Sequence, residues 1–170
     1  MKFFAGILIA GASAIAFAQA PATTHGFLDK LAQGSMAEVE SGQLAENKGT
    51  SSDVKKLGAM MAEQHAQALD KIKSVAKSKN VTLPTAPSKQ QTDTYKALQA
   101  KAGARFDAEY VAAMVKSHEE TVSLLKSEIA SGQDPGTKAL AQELLPTVQN
   151  HLNHAYKLAG KDDMSATKPN

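Results

Sequence analysis

Apolar residues recur every three or four positions along four long stretches of the chain. This spacing places them on one face of an α-helix. The pattern predicts long helices over residues 26–48, 52–79, 104–130 and 135–159. The connections within the first pair and within the second pair are only a few residues long. Each pair is therefore expected to form an antiparallel hairpin.

One polar residue interrupts each apolar face near its middle, where leucine or alanine would be expected. The four residues are Glu38, His65, His118 and His151. Burying an unpaired carboxylate or imidazole is costly, so four that converge need a common explanation. They could hold a metal ion, or they could form a polar network that satisfies its own hydrogen bonds.

A long connection, residues 80–103, separates the two predicted hairpins and contains Pro84 and Pro87. An extended chain of that length crosses a helix of this size, and residues 88–101 could form a short extra helix. Two hairpins joined by one long crossover is the connectivity of ferritin-like bundles. We therefore predict an all-α fold, a ferritin-like four-helix bundle with this crossover.

The four polar residues are predicted to lie at similar heights in that bundle. The crossover makes the second and third long helices parallel, and His65 and His118 lie almost equally far along them. At a rise of about 1.5 Å per residue, Glu38 and His151 fall within about one turn of the same level. We therefore expect one carboxylate and three imidazoles to face each other inside the bundle.

Three imidazoles and one carboxylate suit Zn, Mn or Fe, and four protein ligands could close a tetrahedral site. Met61 and Met114 each lie four residues before one of the histidines, on the same helix face. Their soft sulfur atoms could act as additional ligands and would favour Cu(I). Alternatively, the two methionines fill irregular space in the core.

Three other groups of ionisable residues are predicted to lie away from this site. Asp107 is roughly 16 Å from His118 along its helix, too far to share a metal ion. We expect Asp107 to lie in the first turn of its helix, where the helix dipole favours a carboxylate, and Tyr110 to lie half in the core. The alternative is a second polar site near this end of the bundle. His154 lies off the main apolar face of its helix and His25 lies at the frayed start of the first helix, so both are expected to be exposed.

The ends of the chain are predicted to lie outside the bundle domain. Lys2, an uncharged apolar stretch over residues 3–17 and a small-x-small motif ending at Ala20 are typical of a secretory signal peptide. Residues 21–160 would form the bundle, and the polar residues 161–170 a disordered tail. We expect an exported protein, located in the bacterial periplasm or, as the second choice, outside the cell.

The composition excludes several classes of function. The chain has no cysteine, which excludes disulfides and thiol chemistry and suits an oxidising compartment. Its net charge is +2, and the lysines are spread out, so there is no electrostatic surface for nucleic acid. No second apolar run follows the predicted signal peptide, so no transmembrane segment is expected after its cleavage.

Short motifs along the chain carry a resemblance to a known family. They are Phe27-Leu28, Gly34-Ser35-Met36-Ala37-Glu38-Val39-Glu40, Gln64-His65, Val81-Thr82-Leu83-Pro84, Phe106-Asp107-Ala108-Glu109-Tyr110, His118-Glu119, Leu145-Pro146 and His151-Leu152. In their order and spacing the chain resembles domain-of-unknown-function family 4142, exported bacterial proteins often labelled outer membrane proteins. The resemblance implies a ferritin-like helical bundle and no established activity.

A ferritin-like fold suggests di-iron chemistry, which uses two Glu-x-x-His pairs. The residues three before the histidines are Ala62, Val115 and Val148, so both pairs are missing. We predict an exported metal-binding bundle with a role in envelope metal handling or stress protection rather than catalysis. One alternative is a metal-free structural or interaction module with a buried His/Glu hydrogen-bond network, and a further alternative is a metal-dependent redox enzyme.

Overall fold

The computed structural model describes residues 22–160, and this part of the chain is helical with no strand. The helices are α1 (Ala22–Lys48), α2 (Ser52–Ser78), α3 (Lys89–Gln99), α4 (Gly103–Ser131) and α5 (Pro135–Leu158). Helices α1 and α2 form one hairpin, and α4 and α5 form the other. The predicted ferritin-like four-helix bundle is confirmed. The predicted signal peptide and polar tail lie outside the described residues.

Side-chain caps explain where two of the long helices begin. The Ser51 hydroxyl accepts a hydrogen bond from the Asp53 amide at the start of α2. Asp134 Oδ1 accepts from the amides of Gly136 and Thr137, both at 2.9 Å, at the start of α5. These caps satisfy amides that have no partner within the helix.

The crossover between the hairpins contains the short helix α3, as predicted. Its start is a capping box, in which Ser88 and Gln91 each bond the other's backbone amide. Helix α3 contacts α1 and α4, and Leu98 is its buried residue. The crossover helix therefore lies over the seam between one helix of each hairpin.

Two apolar clusters fill the bundle, one on each side of a central polar layer. One cluster includes Ala45, Val54, Met61, Phe106, Tyr110, Met114 and Ala155. The other includes Leu28, Ile72, Leu125, Leu140 and Val148. Helices α2, α4 and α5 each pass from one cluster to the other through one buried histidine, and α1 passes through Ser35, Glu38 and Ser41, which are all buried. This order is the direct structural consequence of the interrupted apolar faces in the sequence.

Helices α1 and α2 approach so closely that their backbones touch. A Cβ atom added at Gly42 would lie 2.6 Å from the Gly58 carbonyl oxygen, and one added at Gly58 would lie 2.6 Å from that of Gly42. Only glycine leaves room for such an approach. The contact lies one helical turn beyond Glu38, so it fixes the height of that residue relative to α2.

Asp107 holds the loop between α1 and α2. Its carboxylate accepts hydrogen bonds from the amides of Thr50, at 2.9 Å, and Ser51, at 2.8 Å, and from the Thr50 hydroxyl at 2.5 Å. Burial alone would raise the pKa of Asp107, but the bonds from Thr50 and Ser51 outweigh it and lower the pKa. The expectation of a first-turn carboxylate was wrong, because α4 begins at Gly103 and Asp107 lies beyond its first turn.

The expectation for Tyr110 also needs correction. Tyr110 is completely buried rather than half in the core, because it packs parallel to Phe106 at 6.1 Å between ring centroids. Leu158, the last residue of α5, is 38% exposed. No helix within residues 22–160 combines the length and apolar character needed to cross a bilayer.

Candidate metal centre

Three imidazole rings meet in the polar layer, each supplied by a different helix. His65 comes from α2, His118 from α4 and His151 from α5, and all three are buried. Their ring centroids are 5.2 to 5.5 Å apart. One nitrogen of each ring lies within 4.8 Å of the other two. The predicted convergence of the three histidines is therefore confirmed, and we call them the histidine triad.

The spacing of two triad nitrogens suits a shared ion. His65 Nε2 and His118 Nε2 are 3.4 Å apart. Two nitrogens bound to one tetrahedral ion at about 2.0–2.1 Å would be about 3.3 Å apart. The separation of this pair therefore matches that of two ligands of one ion, and the His151 ring adjoins both.

Hydrogen bonds fix which nitrogen of two triad rings carries the proton. His118 Nδ1 lies 2.8 Å from the Met114 carbonyl oxygen, and a carbonyl only accepts, so Nδ1–H donates. The lone pair of His118 is then on Nε2, which faces His65. His151 Nε2 donates to Gln64 Oε1 at 2.8 Å, and its buried Nδ1 has no partner within residues 22–160. Such bonds orient metal-binding histidines in proteins.

Burial keeps two rings of the triad, those of His65 and His151, uncharged. It lowers the pKa of His65 well below the usual 6.5, and the neighbouring His118 and His151 lower it further. Burial also lowers the pKa of His151 to about 3, with smaller effects from His118 and His154. A metal ion binds neutral imidazole, so these two rings are in the form that can bind a metal at physiological pH.

Glu38 lies beside the triad rather than within it. It is not in the group of side chains whose ligand atoms converge. Its Oε1 accepts a 2.6 Å hydrogen bond from Ser117 Oγ, which in turn lies 3.3 Å from His118 Nδ1. Burial raises the pKa of Glu38, although His118 and Ser117 act in the opposite direction. A role for Glu38 as a direct ligand stays a prediction.

Met61 and Met114 are buried in the apolar cluster that adjoins the triad. Each lies one turn from a triad histidine, as the sequence predicts. Their positions agree with the space-filling interpretation. Sulfur ligation by either residue stays a prediction.

The sequence interpretation missed two residues that orient the site, Gln64 and Ser117. Both directly precede a triad histidine in the sequence, but they lie off the apolar faces. Gln64 bonds His151 on another helix, and Ser117 connects Glu38 to His118. Their positions directly before two of the histidines could have indicated that they orient the site. The two solvent-exposed histidines, His25 and His154, are where the sequence places them.

A cleft leads from the protein surface to the histidine triad. It has a volume of 830 Å³, and all three triad histidines line it together with Glu38. All five helices contribute to its walls, and Gly34 on α1 and Gln91 on α3 face each other across one side. The triad is therefore buried but borders a space large enough for a small molecule.

A family model described as "Domain of unknown function (DUF4142)" matches residues 10–158. The chain belongs to this family. The match spans the polar residue of every long helix, which agrees with the resemblance seen in the sequence. The description of the DUF4142 family names no activity, and no curated protein matches the chain.

The fold of this DUF4142 protein is also found in a solved structure. It is similar to a crystal structure of a DUF305 fragment from Deinococcus radiodurans, with a TM-score of 0.73 and 10% sequence identity. The similarity covers 84% of this chain and 99% of the fragment. At that identity the likeness shows the shared helical fold alone.

Proposed function

We propose that this protein binds one divalent transition metal ion through His65, His118 and His151 and handles that metal in the bacterial envelope. The observation that carries the proposal is the 3.4 Å separation of His65 Nε2 and His118 Nε2 inside a buried triad of rings. The burial of the triad, the proton placement on its rings and the neutral form of His65 and His151 all support metal binding. The role is binding rather than turnover.

The donor set narrows the choice of metal. Three imidazole ligands suit Zn²⁺, Cu²⁺ or Fe²⁺. Affinity for nitrogen ligands rises from Mn²⁺ to Cu²⁺ and is lower again for Zn²⁺. We therefore expect Cu²⁺ to bind more tightly than Zn²⁺, and Mn²⁺ to bind weakly. Cu⁺ would bind more tightly only if Met61 or Met114 turned its sulfur atom toward the triad.

Metal content after purification without a histidine tag tests the proposal. The wild-type protein should bind one equivalent of Zn²⁺, and its melting temperature should rise, because binding stabilises the folded state. His118→Leu should lose stoichiometric binding. His154→Leu is the matched control, since His154 is an exposed histidine, and it should bind like the wild type. Wild-type protein that takes up none of these metals would overturn the proposal.

A metal-free polar network is the second candidate, and one contact favours it. The 3.4 Å separation of the two Nε2 atoms also permits a hydrogen bond from His65 to His118. Four buried atoms in or near the layer have no partner within residues 22–160, however: Glu38 Oε2, His65 Nδ1, His151 Nδ1 and Tyr110 Oη. A hydrogen-bond network that fixes one arrangement of the helices should leave few buried polar atoms without a partner. This candidate would be favoured if His118→Leu were as stable as the wild type or more stable, and if added metal changed the stability of neither protein.

Export is part of the proposal and has its own test. The sequence of the first 20 residues supports a cleaved signal peptide. The full chain expressed in a bacterial host should appear in the periplasmic fraction, with a mass that corresponds to a chain beginning at Pro21. Uncleaved protein in the cytoplasm would contradict export without affecting the metal site.

A further inference from the structure

We propose that the cleft admits a small oxygen-donor molecule that completes the coordination of the metal and donates a hydrogen bond to Glu38 Oε2. The inference rests on the proposed function, because it needs a metal at the histidine triad. It adds a ligand class to that site. The ligand combines a metal-binding oxygen with an N–H or O–H group, as hydroxamic and hydroxy acids do.

The first observation is that the triad supplies only three protein ligands. Within residues 22–160, no carboxylate or further histidine joins His65, His118 and His151. Structural zinc sites use four protein ligands, whereas three leave a position for water or another molecule. A metal at the triad therefore has at least one position that the described side chains leave open.

The second observation is the cleft that reaches the triad. Its 830 Å³ is far more than the roughly 30 Å³ that one water molecule occupies in the liquid. Ser35, Ser41 and Gln64 line it together with apolar residues such as Leu125 and Val148. Such a mixture of an apolar wall and a few polar groups is typical of sites for small organic molecules.

The third observation is an unpartnered carboxylate oxygen in that wall. Glu38 is 7% exposed, and its Oε2 is buried with no partner within the described range. Oε1 is held by Ser117, which fixes the carboxylate and leaves Oε2 to accept another hydrogen bond. A buried acceptor without a donor is costly. A ligand bearing an N–H or O–H group would satisfy it.

The experiment uses the full Co²⁺-loaded protein and acetohydroxamic acid as the probe. Co²⁺ takes the place of Zn²⁺ and reports its coordination through visible absorption bands. Acetohydroxamic acid should change those bands in a saturable manner. Glu38→Gln should weaken this binding about 10- to 100-fold, as expected when a buried hydrogen bond is lost. Glu40→Gln, an exposed carboxylate on the same helix, is the matched control and should bind like the wild type.

Azide separates the hydrogen bond from the metal bond. It binds metals but has no proton to donate, so Glu38→Gln should leave its affinity unchanged or increase it. Gly34→Phe tests the cleft independently. A Cβ at Gly34 meets only Gln91 Nε2, at 3.9 Å, so a phenyl group there should fill the cleft and abolish the response to acetohydroxamic acid while Co²⁺ content is retained.

The failures of the two proposals are distinguishable by the Co²⁺ content. A protein that takes up no Co²⁺ overturns the metal site and the ligand together. A Co²⁺-loaded protein whose visible spectrum does not change when acetohydroxamic acid is added overturns the ligand site alone. Equal affinities in the wild type and Glu38→Gln would also overturn it.

Discussion

Replacing Gly42 with alanine should destabilise the bundle, although alanine is the better helix former. The new Cβ would lie 2.6 Å from the Gly58 carbonyl oxygen, 2.8 Å from the Ala62 amide nitrogen and 3.2 Å from the Ala62 Cβ. Two of these are backbone atoms, so α1 and α2 must move apart. The substitution therefore tests whether backbone contact between these helices holds the bundle together.

The magnitude follows from two opposing terms. Overpacking of a well-packed contact typically costs about 1–3 kcal/mol, while replacing glycine by alanine within a helix gains about 1 kcal/mol. Gly34→Ala, in the same helix, should show only the gain, because its nearest neighbour is Gln91 Nε2 at 3.9 Å. The two variants should therefore differ by about 1–3 kcal/mol, with Gly42→Ala the less stable.

Urea denaturation followed by helical circular dichroism measures both free energies of unfolding. For a domain of this size, the same difference should separate the melting temperatures by about 3–10 °C. If Gly42→Ala were as stable as Gly34→Ala, the close approach of α1 and α2 would be refuted as a determinant of the fold.

Three further predictions concern acid, the loop anchor and the orientation of a triad ring. The metal-free protein should lose stability as the pH falls from 6.5 toward 3, because burial lowers the pKa of His151 to about 3. In that range the unfolded chain binds a proton at this histidine and the folded chain does not. His151→Leu should flatten that loss in denaturation measured across pH, by up to about 1.4 kcal/mol per pH unit, and an unchanged slope would refute the pKa assignment. Asp107→Ala should cost about 1–2 kcal/mol in urea denaturation, because Thr50 and Ser51 lose their acceptor; no loss would show that the loop needs no anchor. Gln64→Ala should weaken Zn²⁺ binding about 10- to 100-fold in calorimetry, whereas the exposed control Gln67→Ala should have no effect; equal affinities would refute a role for Gln64 in orienting His151.

The helices and the histidine triad could be predicted because both depend on local periodicity. A histidine on the apolar face of a helix must point into the bundle, and the short connections fix which helices are antiparallel. Counting residues then places His65, His118 and His151 at one level. No knowledge of individual contacts is needed for that result.

The direction of individual polar side chains could not be predicted in the same way. Glu38 lies at the expected height, but its carboxylate bonds Ser117 on α4, which depends on how closely α1 approaches α4. Asp107 bonds a loop 56 and 57 positions away in the sequence. Such partners are set by the tertiary packing of helices, for which periodicity gives no information.

X-ray absorption at the zinc edge of the Zn²⁺-loaded protein tests the metal site most directly. We predict a shell of nitrogen or oxygen ligands at about 2.0–2.1 Å, with the outer scattering of three imidazole rings. A spectrum with fewer than three imidazoles, or one that His118→Leu leaves unchanged, would contradict binding at the histidine triad.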